Sequence, residues 1–106
     1  MTVENVIKKI EDKTKNFDPK NYDGFLAVQI TLTDIEGGVL YVEIKDHALN
    51  IQPYSYNDRQ AELMISSDNF AKLIDKKLDA ALAFGTGKLK ISGNPGKAIE
   101  LAGLFK

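Results

Sequence analysis

Few side chains in this sequence could carry out chemistry, and their spacing argues against most of it. His47 is the only histidine and stands beside Asp46, a pair that could act as a general base or orient a nucleophile. The two residues fall between alternating apolar runs, so they read as a hairpin turn with an exposed imidazole. A metal ion would find that one imidazole and no second ligand at useful spacing. The absence of cysteine removes disulfides, thiolate nucleophiles and Cys-based zinc sites. Paired carboxylates could serve acid–base work, but the acidic residues fall mostly on outward strand positions and polar helix faces. The glycines from Gly85 to Gly96 suggest a phosphate cradle. Gly87-Lys88 is followed by Leu89, however, where a P-loop needs Ser or Thr, so these glycines read as turn residues. Tyr41, Tyr54 and Tyr56 could stack bases, yet only Tyr41 falls on the polar face of a strand. A net charge of −1 also lacks the basic stripe of a nucleic-acid binder. The expectation is no catalytic residue, no metal, no cofactor and no nucleic acid.

The elements that would position these residues are easier to read. Val3, Val6, Ile7, Ile10, Thr14 and Phe17 share one face of a helix with Thr2 as its cap, and the opposite face carries Lys8, Lys9, Glu11, Asp12, Lys13 and Lys15. Those lysines are a candidate for transient contact with an anionic membrane surface. Leu26–Leu32, Leu40–Ile44 and Leu49–Ile51 alternate apolar with polar residues and are joined by short connections, which predicts an antiparallel meander with one apolar and one wet face. Pro53–Gln60 reads as polar and irregular. Ala61, Leu63 and Ile65 form a fourth strand. Ser66 or Ser67 then caps a helix with Phe70, Leu73 and Ile74, and Asp79 caps another with Ala80, Leu82, Ala83 and Phe84.

The segment Ala83–Phe105 closes the chain as helix end, strand and helix. Gly85 is the expected left-handed C-cap, Lys88–Ile91 alternates as a fifth strand, and Asn94-Pro95 starts a helix by side-chain capping and a proline at its first position. With 106 residues, 43% of them hydrophobic, the pattern predicts a single α+β domain over residues 1–106, with one sheet face covered by four to five helices. No run reaches membrane-spanning length, no hydrophobic signal block opens the chain, and Leu104-Phe105-Lys106 is no peroxisomal address. Together with the lack of cysteine, this reads as cytoplasmic.

The closing segment resembles the sterol carrier protein (type two) lipid-transfer family, through Ala83, Phe84, Gly87–Ile91, Gly93, Asn94, Gly96 and the apolar helix that follows. Upstream, Ser66-Ser67-Asp68-Asn69-Phe70 is similar to the family's strand-to-helix segment, and Tyr41–Asp46 to its central hairpin, so that the likeness covers about Gly24 to Phe105. It implies a five-stranded, mainly antiparallel sheet and an apolar tunnel between sheet and helices. It also implies a non-catalytic intracellular carrier of fatty acid, acyl-CoA, sterol or phospholipid, with Leu40, Val42, Phe70, Leu73, Phe84, Ile91, Ile99 and Leu101 lining the cavity. The alternative is an accessory or dimerisation module of the same fold, acting through protein contacts as a possible homodimer. Three departures stand out: His47 occupies a turn position where the family often has glycine, Pro95 one where it often has methionine, and the chain stops at Lys106. They lead to expectations of an altered turn, a stiffer start to the last helix and a wider cavity mouth.

Overall fold

A computed structural model of the chain describes residues 1–105. The alternating runs become one five-stranded sheet: β1 (Leu26–Leu32), β2 (Val39–Lys45), β3 (Ala48–Gln52), β4 (Ala61–Ile65) and β5 (Leu89–Gly93), in the order β3-β2-β1-β4-β5. The first three form the expected antiparallel meander and β5 runs antiparallel to β4, but β1 and β4 are parallel, so the sheet is mixed. Parallel pairing follows from the path of the chain. β3 lies at one edge, and the chain must return across β2 and β1 before β4 can pair with β1. The eight residues between β3 and β4 reach roughly 3.3–3.6 Å each, enough to cross three strand spacings of about 4.8 Å while running back along the strand length.

That crossing presses Pro53–Gln60 onto the outer face of the sheet. The Tyr56 N–H donates to Gln29 Oε1 at 2.9 Å, and its hydroxyl donates to Glu43. The side-chain oxygen of Gln60 accepts from the Ala27 N–H at 2.9 Å, and Tyr41 meets Tyr56 edge-on at 5.0 Å between ring centres. Ala27 and Gln29, expected on a wet face, are therefore buried. The outer face is wet only towards the edges.

The inner face carries the four α-helices of the described residues: α1 (Val3–Thr14), α2 (Ser67–Ile74), α3 (Ala80–Gly85) and α4 (Pro95–Ala102). Local chemistry sets their starts. Thr2 and Asn5 form a reciprocal capping box, and Ser66, Asp79 and Asn94 cap the other three with their side-chain oxygens. The left-handed residue after α3 is Gly87, at φ +79°, rather than Gly85, which stays helical. Thr86 caps the end, its backbone N–H and its hydroxyl both donating to the Leu82 carbonyl at 2.9 Å. Asp46 and His47 both take left-handed φ values, 52° and 62°, as a two-residue hairpin turn requires.

The helices divide the inner face. α1 packs on β2, β3 and α2, while α4 packs on β1, β4 and β5, and α3 rests on β5. Val6 and Ile10 of α1 are fully buried with Leu40, Val42 and Ile44 of β2 in the core. Phe70 of α2 meets Phe105 edge-on, their centres 6.2 Å apart, and closes the middle. No helix among the described residues is long and apolar enough to cross a membrane.

Candidate functional site

Where the inner face passes from α1 to α3 and α4, packing gives way to a cavity of about 330 Å3. Leu63 of β4 and its cross-strand neighbour Ile91 of β5 make the floor, with Leu89 beside them. Ala80, Ala81 and Phe84 of α3 form one wall, and Pro95, Ala98, Ile99, Leu101 and Ala102 of α4 form the other. Leu73 of α2 and Phe105 close the inner end. Every lining side chain is apolar, so the space offers no acid, base, nucleophile or metal ligand. It suits an apolar chain or ring system, held by dispersion and the exclusion of water.

The mouth is found from exposure. Phe84 and Ile99 line the cavity, yet 55% and 68% of their surfaces remain open to solvent. Both stand on the edge between α3 and α4. The two walls are anchored differently: α4 is tied down by Tyr22 donating to Glu100 at 3.2 Å and by the Lys97 ammonium donating to the Phe25 carbonyl at 3.3 Å. The pull of Glu100 raises the Lys97 pKa, and burial, with Glu100 adding to it, raises that of Tyr22. α3, in contrast, buries only Ala83.

Of the eight residues expected to line a cavity, the fold brings five together: Leu73, Phe84, Ile91, Ile99 and Leu101. Leu40 and Val42 lie in the part of the core beneath α1, and Phe70 packs behind Phe105. Sequence reasoning did not assign Leu63, Leu89, Pro95 and Phe105 to the lining, and it missed the small side chains Ala80, Ala81, Ala98 and Ala102. Their signal was present as alanine on the inward stripes of two short helices, where larger residues would have filled the gap. Pro95, at the first position of α4, also stands in the wall.

A second, open concavity of about 600 Å3 lies at the other end of the outer face, between Phe25, Lys45, Asp46, His47, Tyr56 and Asp58. His47 is exposed there. The Tyr56 hydroxyl is engaged with Glu43, and that hydrogen bond, with burial and the Glu43 charge adding to it, pushes the phenol up to about 12. The tyrosine is thus a locked donor that braces the crossing, poorly suited to proton transfer at neutral pH. Among the described residues no group of three His, Asp or Glu side chains is placed to hold a metal ion.

The sequence model of the SCP-2 sterol transfer family matches residues 5–106. The hydroxysteroid dehydrogenase-like protein 2 of Bos taurus is 37% identical over 79 residues, which is 73% of this chain and 19% of that protein. The chain thus spans about a fifth of the length of this curated relative. Among solved structures, sterol carrier protein-2 like-3 of Aedes aegypti superposes with a TM-score of 0.72 at 19% identity, covering 96% of this chain and 94% of its own. Sterol carrier protein-2 of the same mosquito, solved in complex with the C16 fatty acid palmitate, superposes with a TM-score of 0.68 at 19% identity, covering 99% and 94%. These two structures share the fold of this chain.

Proposed function

The chain belongs to the SCP-2 sterol transfer family, and from that premise we propose that it is a non-catalytic carrier enclosing the tail of a single-chain lipid, a fatty acid or its acyl derivative, between α3, α4 and the β4–β5 floor. The observation that carries this reading is a cavity of about 330 Å3 whose lining side chains are all apolar. Size favours a chain over a fused-ring sterol. A methylene is close in size to water, whose share of liquid volume is about 30 Å3, so the cavity takes on the order of ten methylenes. A linear tail can enter by its apolar end and leave its polar head at the mouth beside Phe84 and Ile99, whereas a rigid sterol needs α3 to move outward. The palmitate complex of the mosquito relative is consistent with such a tail. Leu73, Phe84, Ile91, Ile99 and Leu101 are assigned to the wall, while Leu40, Val42 and Phe70 hold the floor in place from the sealed side of the core.

Native mass spectrometry of the purified chain, before and after organic extraction, tests this. A single fatty acyl species that leaves on denaturation is the expected result. A chain that stays bare after incubation with fatty acids and acyl-CoA overturns it. One observation favours a second reading: the 79 residues matched in the cattle relative are only 19% of its length. In that reading the domain is an accessory module that contacts an enzyme or a second copy of itself. It calls for concentration-dependent association on sedimentation with no extractable lipid.

A further inference from the structure

The two outer strands of the sheet are built differently. β5 carries Lys90 and follows Lys88, and lysines on an edge strand keep other strands away. β3, Ala48-Leu49-Asn50-Ile51-Gln52, pairs only with β2 and has neither a charge nor a proline. Its outward groups follow from the hairpin. The turn Asp46-His47 is closed by Lys45 and Ala48. Ala48, Asn50 and Gln52 therefore bond to β2, while the N–H and C=O groups of Leu49 and Ile51 point outward. No turn or loop backbone among the described residues bonds to these outward groups. A groove of about 310 Å3 runs here, between Leu49–Gln52 and the end of α1 at Glu11, Thr14 and Lys15. Four consecutive strand residues share one groove only along the strand's edge, because their side chains alternate between faces. Lys9 and Lys13 face Asp75 of α2, which turns Glu11 and Lys15, about half a helical turn round, toward this edge.

We propose that β3 pairs antiparallel with β3 of a second copy of this chain, about a two-fold axis at Asn50, joining two five-stranded sheets into one. The strand is self-complementary in that register. Leu49 of each copy stands opposite Ile51 of the other, and their outward N–H and C=O groups bond across the axis. On the inner face the same pairs join Leu49 and Ile51, both half-buried at the margin of the core, into one apolar strip. On the outer face Asn50 meets Asn50, amide to amide, with no like charges opposed. α1 fits the same axis. It lies over β2 and β3 alike, so two strand spacings place the two copies of α1 about 9–10 Å apart, the separation at which helices pack. Glu11 of one copy then faces Lys15 of the other, twice by symmetry. Lys15 is otherwise held only by Asp12, at 3.5 Å on the open surface. An interface of one strand and one helix is small, in the class of transient contacts below about 1,200 Å2, so concentration sets the pairing. The cavity lies toward β5, at the opposite edge, so both mouths stay open and the pairing rests on neither reading of the function.

The test is sedimentation of the full chain from micromolar to millimolar concentration, with amide hydrogen exchange at both ends of the range and fatty-acid binding alongside. A monomer–dimer equilibrium is expected, with the Leu49 and Ile51 amides protected only at high concentration. Asn50→Lys sets two ammonium groups face to face at the axis and should weaken association at least about tenfold. Glu11→Lys and Lys15→Glu should each weaken it at least about threefold, and the two together should restore it to within about twofold of the parent. Fatty-acid binding should not change in any of these variants, because none of the three side chains lines the cavity. A chain that stays monomeric at millimolar concentration overturns the proposal and leaves this edge to a strand from another protein. Protection that appears on β5 instead of β3, association that Asn50→Lys leaves intact, or a double exchange no better than its single variants also overturns it. Fatty-acid binding by a strictly monomeric chain defeats the pairing alone; dimerisation without fatty-acid binding defeats the carrier reading alone.

Discussion

Two glycines fix the ends of β5, and they do so for different reasons. Gly87 sits at φ +79° with open space where a Cβ would stand, so a side chain there meets only the unfavourable left-handed backbone. Gly93 combines φ +87° with close approach: a Cβ would lie 2.6 Å from the Gln60 carbonyl oxygen and 3.1 Å from Ala61 Cα. Those atoms belong to the start of β4, so the β4–β5 floor of the cavity must part to admit a methyl group. Gly87→Ala is expected to cost about 1–2 kcal/mol of stability, the left-handed penalty alone. Gly93→Ala should cost about 2–5 kcal/mol, strain and overpacking together. Denaturant midpoints at unchanged slope measure both. Equal losses would mean that Gln60 yields freely and that the close approach does not hold the floor.

At the scale of elements, α2 is held by two carboxylates. Asp34, on the β1–β2 connection, accepts from both the backbone N–H and the hydroxyl of Ser67 at 2.7 Å. The hydroxyl bond, with the backbone bond behind it, lowers the Asp34 pKa from its ordinary 3.8. Asp75, at the end of α2, is lowered chiefly by the hydrogen bond from Lys9 of α1. A lowered carboxyl stabilises the fold above its unfolded pKa and loses that contribution as pH falls through the folded value. The chain should therefore hold its melting temperature down to about pH 4 and then lose it, with Asp34→Asn and Asp75→Asn each flattening the acid limb. Tyr56 has the opposite sign: its phenol, pushed up to about 12, stabilises the fold below pH 10, and this is lost as pH rises from 10 through 12. Tyr56→Phe should remove that alkaline step. Thermal melts across pH decide each case; an acid limb unchanged in both asparagine variants would rule out these ties. Thr2, Asp79 and Asn94 were legible as caps, and Ser66 as one of two candidates with Ser67, because a cap depends on the few residues after it. The grip of Asp34 on Ser67, 33 residues away, and the crossing of Pro53–Gln60 were not, because both depend on β4 pairing beside β1. Periodicity places Leu40 and Ile91 on the same inward face. Only the lie of α1 over β2 and β3, and of the short α3 and α4 over β5, makes the first core and the second cavity wall.

For the molecule as a whole, the cavity sets a balance that an occupant must tip. Closed and empty, about 330 Å3 would cost about 8 kcal/mol at ~24 cal/mol per Å3, against a total stability of about 5–15 kcal/mol for a typical domain. The mouth between Phe84 and Ile99 lets water in, but the lining gives that water no hydrogen-bond partner. The fold should thus respond strongly to anything apolar that fills the space. A fatty acid at a hundredfold its Kd adds about 2.7 kcal/mol, which for a domain of this size raises Tm by roughly 10–20 °C. A side chain can take the same volume permanently. Ala98 faces the cavity from α4 and is itself buried, so Ala98→Phe directs a ring into empty space without displacing packed neighbours. Its Tm without lipid should equal or exceed that of the parent chain, and the further rise on adding fatty acid should vanish. Leu40→Ala is the complementary variant: it removes core volume beneath α1, should lower stability by about 2–5 kcal/mol, and should keep the full lipid-induced shift. If Ala98→Phe instead lowered Tm and still gained the parent's shift, the lipid would have to bind elsewhere. Loss of the shift in Leu40→Ala as well would mean that core and cavity form one deformable space, and that α1 takes part in enclosing the ligand.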